Sequence, residues 1–354
     1  MFDIINKPLG FVLRFLANIF NNDFAIAVAV FTLLINILLI PLSIKSQKSA
    51  VSQMRIKPKL DELRKKYGDN RQKMAQAQQE LYQQEGVSMS GGCLPMIIRL
   101  LLMMSIYWLI LSPLTYIAQV DKADVTVVSN AITTTMSDYE KNDKAKYDEC
   151  SKLLTEAGWS KKNTNANLML TNIIRNNPDV LQQVLPAEEY NKIADVYNSI
   201  IEKDEKAGIN YLLFGRKDLD LTKTPDFSWN IVENWQTLWL IPIGAFLAQI
   251  LTSIISMKVN KINNPDAPSM MGMMLFMPLL SLFIGFGLPG GVGFYWICSS
   301  LIGGLIQSGV QLWYGPQKML ARERGKDLVQ QCDFETKQLE KFDNSDDTDT
   351  LIKE

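Results

Sequence analysis

Apolar and polar positions alternate in long blocks along this chain of 354 residues. A helix needs roughly 20 apolar residues to cross a membrane core of about 30 Å. Five runs reach or approach that length, and several carry Trp or Tyr near an end, as is typical of helices that stop at a membrane interface. The runs lie at 24–43, 94–117, 235–257, 270–286 and 292–313. The pattern therefore predicts an all-α integral membrane protein with five transmembrane helices.

The segments between the runs complete the predicted organisation. Residues 3–20 place Leu9 and Leu13 at helical spacing among charged positions, which is typical of an amphipathic helix in the membrane interface. A short buried core helix is the alternative. The predicted divisions are an interfacial helix 1–23, span 1 at 24–43, a cytoplasmic basic helical hairpin 44–93, span 2 at 94–119, an extracytoplasmic helical insert 120–228, span 3 at 229–257, a cytoplasmic linker 258–269, span 4 at 270–287, span 5 at 288–313, and a cytoplasmic tail 314–354 with a disordered end.

The distribution of basic residues predicts the orientation. Residues 44–93 carry ten Lys or Arg residues against five acids, and the linker 258–269 and the start of the tail are also basic. Five spans place these three segments on one side, which the positive-inside rule makes the cytoplasm. The N-terminus is then expected outside and the C-terminus inside. The N-terminus lacks a signal-peptide pattern, so residue 1 is expected to begin the mature chain.

The segment after the first run predicts two short amphipathic helices. Ile56, Leu60 and Leu63 form one apolar stripe. Residues 68–70 are typical of a turn, and a second stripe begins at Met74. The hairpin is either merely solvated or an arm that meets anionic head groups, a ribosome or a substrate. Its outward basic residues include Lys57, Lys59, Arg64, Lys65, Lys66 and Arg71.

The segment 120–228 also has helical periodicity, for example at Val180, Leu181 and Val184. It is long enough to bury a small core and carries no chemical motif that we recognise. The end of the chain, from about 335 to 354, is polar and acidic, which predicts disorder.

Polar residues inside the predicted spans mark the candidate site, because they are costly there. Four of them lie about 9–12 Å from the predicted cytoplasmic ends, at 1.5 Å per residue. If they converge, they line a hydrated cavity that opens to the cytoplasm and ends partway across. Alternatively, the Arg extends to the head groups and the others join helices by hydrogen bonds. The candidates are Asn36, Arg99, Gln249 and Gln307, with hydroxyls from Thr252 and Ser300.

Composition argues against an enzyme. The chain has no His, which excludes His-based acid–base catalysis and His-containing zinc sites. Its four Cys residues form no C-x-x-C pair. A G-x-x-x-x-G-K-[ST] loop and an H-E-x-x-H motif are both missing. No metal, cofactor or specific nucleic acid is expected.

Several motifs, taken in order, resemble those of the YidC insertases. The resemblance covers about 1–119 and 229–325, in the family's order. The motifs are FTLLINILLIPLSIKSQKS at 31–49 for the first conserved span, KPKLDELRKKYGDN at 57–70 for the paired helices, GVSMSGGCLPMIIRL at 86–100 for the start of the second span, and FMP at 276–278 with LPGGVGFYW at 288–296 for the last hairpin.

This resemblance implies a membrane protein insertase and chaperone of the YidC/Oxa/Alb superfamily, similar to five-span Gram-positive members and independent of nucleotide. It implies a client groove that opens to the cytoplasm and to lipid, and a hairpin that receives clients. We assign Tyr295 and Trp296 to the mouth of this groove. The expected location is the bacterial cytoplasmic membrane. The expected partners are nascent membrane proteins and phospholipids, with the Sec translocon and the ribosome as further candidates.

The chain departs from the family pattern at two positions. Members normally carry Arg or Lys in the first span where this chain has Asn36, and many have Gln where it has Arg99. The two positions are expected at matching depth on antiparallel neighbouring helices. We hypothesise that the groove's positive charge has moved to the second span. The resemblance implies nothing about the insert.

Two other functions remain open. A small-solute transporter or channel would favour inverted repeats and a midplane site, which the sequence does not suggest. A multispan anchor could instead present 120–228 as an extracytoplasmic binding module. Deleting 120–228 should leave most activity in an insertase and none in such an anchor.

Overall fold

A computed structural model describes residues 2–68, 70–86, 94–159, 165–225, 227, 230, 233–263 and 271–350. Among these residues the only β contacts are two isolated bridges. The predicted all-α fold class is confirmed for this part of the chain. Its helices are α1 Phe2–Ile19, α2 Phe24–Leu38, α3 Ile40–Tyr67, α4 Arg71–Gln84, α5 Leu94–Leu111, α6 Pro113–Tyr116, α7 Lys122–Asn142, α8 Lys144–Glu156, α9 Ala166–Asn176, α10 Val180–Val184, α11 Ala187–Ala207, α12 Leu240–Asn263, α13 Met271–Gly285, α14 Gly290–Cys298, α15 Gly304–Trp313 and α16 Pro316–Thr350.

Short helical turns and a π-helical segment supplement these helices. The 3₁₀ turns are Leu213–Gly215, Lys217–Leu219 and Thr237–Trp239, and the π segment is Ser299–Gly303. The chain forms two compact units. The first unit comprises Met1–Leu38, Ile97–Ile255 and Ser269–Ile306, and the second comprises Leu39–Met96, Ser256–Pro268 and Gln307–Glu354.

Two predicted spans differ from the helices that form. The second was predicted to continue to residue 117, but α5 ends at Leu111. Pro113 explains this end, because proline lacks an N–H and disfavours helical backbone in the preceding residue. The first run is divided between α2 and α3, and Pro41 stands at the start of α3. Proline is tolerated there, in the first turn of a helix.

Length and composition support fewer crossings than the sequence predicts. In the described part, one helix, Thr237–Lys261, is long and apolar enough to cross a membrane. The pair α2 and α3 also qualifies if it forms a single span. Leu100–Leu111 and Phe276–Gly285 are shorter apolar helices. The count of five spans therefore stays a prediction.

Helix α1 has two apolar faces instead of the single predicted stripe. Leu13 and Ala17 are buried in the protein core, at 2% and 1% exposure. Phe11 and Phe15 are 60% and 57% exposed, on the opposite side of the helix. The prediction that Leu13 belongs to the membrane-facing stripe was therefore wrong, because the helix packs on its own protein through that face.

Gly10 lies on the buried face of α1, directly against α6. A methyl group built on Gly10 would lie 2.3 Å from the carbonyl oxygen of Tyr116. Backbone atoms cannot move aside cheaply, so we expect Gly10→Ala to destabilise the protein by about 1–3 kcal/mol, as overpacking does. Denaturant unfolding in detergent micelles measures this loss.

Gly309→Ala is the matched control for this substitution. A methyl group there meets nothing within 4 Å. This variant should be neutral, or stabilised by up to about 1 kcal/mol through helix propensity. Equal unfolding midpoints for wild type and Gly10→Ala would contradict the close contact.

The insert is helical, as the periodicity indicated, and its buried side chains join the hydrophobic core of the first unit. Val180, Leu181 and Val184 are fully buried. The Tyr197 hydroxyl donates a 2.9 Å hydrogen bond to the carbonyl oxygen of Pro178, which joins α11 to the turn before α10. Residues of α7 to α11 thus form one part of this core.

Residues 209–223, here called the strap, join the insert to the starts of α2 and α14. Asn210 N donates to Asn22 O at 2.8 Å, and Asn210 O accepts from Phe24 N at 2.9 Å. Gly290 N and Gly291 N donate to the carbonyl oxygens of residues 223 and 221, at 2.8 and 2.7 Å. The first N–H groups of a helix need such acceptors. The strap therefore stabilises both helix starts, and deletion of the whole insert would remove it.

The second unit contains the hairpin and the tail. Helix α3 ends at Tyr67, Asn70 caps α4 by accepting a 3.1 Å hydrogen bond from Lys73 N, and α3 also contacts α16. Disorder was predicted from about residue 335, whereas α16 continues to Thr350. Glu335, Lys337 and Gln338 favour helix, but propensity does not explain the last turns, which consist of Asp, Asn, Ser and Thr.

Candidate functional site

Asn36 lies near the end of α2 and faces the π segment. Its Nδ2 atom donates a 2.8 Å hydrogen bond to the carbonyl oxygen of Thr32, one turn earlier. A methyl group built on Gly303 would lie 2.9 Å from Asn36 Oδ1. The absence of a side chain at Gly303 therefore leaves room for this amide. Small residues permit such close approach of helices in membranes.

Thr252 of α12 packs against Gly304, the residue that follows Gly303. A methyl group on Gly304 would lie 2.7 Å from Thr252 Cγ2. The Thr252 hydroxyl donates to the carbonyl oxygens of Ala248 and Gln249, at 2.9 and 3.2 Å. Two adjacent glycines thus bring polar residues of α2 and α12 to one level, where the π segment meets α15.

Gln249 extends this polar level to α13. The hydroxyl of Ser281 donates a 2.8 Å hydrogen bond to Gln249 Oε1. Ser300 belongs to the π segment and is half-buried. Single π turns inside helices occur often at functional sites. Four helical elements of the first unit therefore contribute amides or hydroxyls around one level.

These side chains can hydrogen-bond water or a polar segment of another chain. Asn36, Gln249 and Thr252 are half-buried rather than sealed. Arg99 lies on α5, but its side chain is outside the described residues. The structure thus brings together Asn36, Gln249, Thr252 and the segment that carries Ser300. The described polar groups at this level are uncharged.

Three other predicted residues lie elsewhere. Gln307 is half-buried and belongs to the second unit. Tyr295 was predicted at the mouth of a groove, but it is 6% exposed and part of the hydrophobic core. Trp296 packs against that core. Both aromatic residues are within about 9 Å of Gly290, near the start of α14. Their assignment to the mouth of the groove stays a prediction.

The basic residues of the hairpin are exposed. They include Lys57, Lys65 and Lys66. Lys59 forms an ion pair with Glu85, which joins α3 to the end of α4 and lowers the pKa of Glu85. Arg64 lies 3.5 Å from Asp61, and the side chain of Arg71 is outside the described residues. The hairpin therefore presents a basic surface, on which Glu85 offsets the charge of Lys59.

A second polar site lies at the junction of α1, α6 and α7, and sequence reasoning missed it. A cavity of about 480 Å³ there is lined by Asp3, Lys7, Tyr116 and Lys122, among others. Asp3 Oδ1 accepts from Lys122 Nζ at 2.5 Å and from Tyr116 OH at 2.7 Å. The hydrogen bond from Lys122, and then that from Tyr116, lowers the pKa of Asp3. Asp3 and Lys122 are 119 residues apart, so no local pattern indicated this pair.

Apolar helices that meet at polar side chains, as they do among the described residues, are typical of helical membrane proteins. A family model described as 60Kd inner membrane protein matches residues 15–175. That range covers α2 to α5 and continues into the insert as far as α9. The match covers less than half of the chain, and the matched family is described as an inner membrane protein.

Several curated proteins are similar to this chain over about 30% of its length. Membrane protein insertase YidC of Hahella chejuensis is 40% identical over 108 residues, which is 30% of this chain and 19% of the relative. The YidC proteins of Haemophilus ducreyi and Methylobacillus flagellatus are 43% and 33% identical, over 29% and 30% of the chain and 19% of each relative. The matched segment thus spans about a fifth of these relatives' length. The resemblance to YidC-type insertases is confirmed over this segment.

Proposed function

We propose that this protein is a membrane protein insertase and chaperone, which transfers polar segments of client proteins across the inner membrane without nucleotide. One observation carries the proposal most directly. In a chain that resembles YidC-type insertases, Asn36 and Thr252 meet the adjacent residues Gly303 and Gly304, so polar groups of separate helices share one level. That arrangement supports a hydrated groove between α2, α12 and the last span.

The proposed topology has five spans, with the N-terminus outside and the C-terminus in the cytoplasm. In this arrangement the exposed Lys57 and Lys65 of the hairpin face the cytoplasm, as the positive-inside rule requires. The insert α7–α11 then lies outside. Nascent membrane proteins are the proposed clients, and the Sec translocon and ribosome are proposed partners at the basic surface.

The mechanism lowers the cost of desolvating a client's polar tail. Water held by Asn36, Gln249, Thr252 and Ser300 shortens the dry part of the path. The guanidinium of Arg99 attracts acidic tails, and its attraction is strong where the local dielectric is low. Burial of the client's apolar helix in lipid, worth about 25 cal/mol per Å², then drives the transfer. The process breaks no covalent bond.

Reconstitution tests this proposal. Purified protein in liposomes should insert a short client with an acidic N-terminal tail, measured as a fragment protected from added protease, in the absence of ATP. Empty liposomes and liposomes with an unrelated helical membrane protein are the controls. Protection equal to that of the controls, together with uptake of small solutes, would favour a transporter instead.

A further inference from the structure

The loop that follows α11 exposes an aromatic side chain in a strained conformation. An antiparallel bridge between Leu212 and Asp220 closes this loop, defined here as residues 212–220. Within this loop Leu213 and Leu219 are buried, but Phe214 is 83% exposed. Phe214 also has a φ of 55°, in the left-handed region that residues with a Cβ rarely adopt.

Contacts with the start of α12 fix the position of this loop. The turn Lys217–Leu219 packs against the turn Thr237–Trp239, from which α12 continues. Hydrogen bonds from Arg216 and then from Thr237 lower the pKa of Asp218 to about 2. Thr237–Lys261 is the described helix that is long and apolar enough to cross a membrane. The loop therefore lies at the end of a span.

Aromatic residues surround that end of the span. Trp235 is half exposed, and its ring lies edge-on to Trp239 with 5.5 Å between centroids. Phe286, at the end of α13, lies 5.6 Å from Trp239. Aromatic rings collect at the level of the head groups, where one end of a side chain is apolar and the other wet. These rings mark the membrane–water interface.

The loop carries the chemistry of a membrane contact. Arg216 forms a two-point ion pair with Asp218, with Nη2–Oδ2 and Nε–Oδ1 distances of 2.6 and 3.0 Å, which holds the loop's shape. Lys217, three residues after Phe214 in the same loop, is also exposed. A basic residue in the same loop as an exposed ring suits an apolar layer covered by phosphate groups.

We infer that residues 212–220 form a membrane-anchoring loop, whose Phe214 ring inserts among the lipids of the extracytoplasmic leaflet. Its partner is the bilayer itself, not a protein. The loop is part of the strap, which is hydrogen-bonded to the starts of α2 and α14. The anchor therefore holds the insert at the membrane surface. The inference rests on the proposal that α12 spans the membrane, and it does not depend on insertase activity.

Site-specific photocrosslinking in the full-length protein tests the inference. A photoreactive benzoyl-phenylalanine replaces Phe214, which preserves the aromatic ring, and the purified protein is reconstituted into vesicles of phosphatidylethanolamine and phosphatidylglycerol. Irradiation should attach lipid at position 214, detected by mass spectrometry of the intact protein. Trp235 is the position expected to react with lipid as well. Ser137, exposed on α7 and about 22 Å along that helix from Lys122, should give no lipid adduct.

The outcomes separate the loop from the topology. Lipid adducts at 235 without any at 214 would overturn the anchoring loop and leave the span intact. An adduct at 214 with a second copy of the chain would also overturn it. The absence of lipid adducts at both positions would contradict the proposed span as well. If lipid adducts form at 214 but the wild-type protein inserts no client, only the proposed function is contradicted.

Discussion

Replacing Arg99 by Ala should lower the insertion of a client with an acidic N-terminal tail by at least about tenfold, which corresponds to about 1.4 kcal/mol. Arg99→Lys should retain most insertion. Helix α5 begins at Leu94, so Arg99 lies within about 8 Å of that helix start. A cation and a carboxylate about 4 Å apart attract by about 4 kcal/mol at an effective dielectric of 20. Protease protection of the client in proteoliposomes measures the effect.

The family's usual position offers a sharper control. If the positive charge has moved from the first span to the second, Asn36→Arg should rescue the Arg99→Gln variant. In the wild-type protein, the missing side chain at Gly303 leaves the space that Asn36 occupies. A client with a neutral tail should be inserted equally by all variants. Full activity of Arg99→Ala with the acidic client would end the hypothesis, as would a double variant no better than Arg99→Gln.

Removing α7–α11 but keeping the strap should preserve most insertion, whereas deletion of all of 120–228 should abolish it. This expectation replaces the sequence-based one for the complete deletion, because the strap lies within 120–228 and bonds the starts of α2 and α14. The shorter deletion removes residues 122–207 and leaves Asn210 bonded to the start of α2. It also leaves carbonyl acceptors for Gly290 and Gly291 at the start of α14. The complete deletion leaves these N–H groups unsatisfied, which costs about 1–3 kcal/mol each if they remain buried. Insertion and the yield of monodisperse protein measure the two outcomes.

The replacement linker must reach from one end of α1 to the other. Lys122 contacts Asp3, and Gly208 lies beside Asn22. Helix α1 has 18 residues and is therefore about 27 Å long. A Gly/Ser linker of about 20 residues has a root-mean-square span of about 25 Å. Both deletions receive the same linker. Equal insertion by the two would show that the strap is dispensable, and loss of insertion by both would favour an anchored binding module.

The sequence predicted the secondary structure well where apolar periodicity was long. The fold class followed from it, and so did the burial of Val180, Leu181 and Val184 in the insert. It failed at residues whose local preference was overridden or overlooked. Pro113 ends α5 early, and the polar residues after Glu335 continue as helix. Leu13 looked like a membrane-facing residue because periodicity does not distinguish a face covered by lipid from one covered by protein.

The candidate site could be predicted only as a set of residues at similar depth. Spacing along each span indicated that Asn36, Gln249 and Thr252 lie at comparable distances from the cytoplasmic ends. Spacing could not indicate that Gly303 and Gly304 would receive two of them, nor that Ser281 would bind the third. Depth is a property of one helix, whereas contact depends on the rotation and packing of two.

What the sequence determined by itself is therefore the helical class, the apolar runs that predict a membrane environment and the family resemblance, because these depend on composition and on short-range periodicity. What only the tertiary structure decided is the meeting of Asn36 with Gly303, the pairing of Asp3 with Lys122, and the course of the strap. These contacts join residues far apart in the chain. They are specified by close packing, by a side-chain ion pair and by backbone hydrogen bonds, and none of these leaves a periodic signal in the sequence.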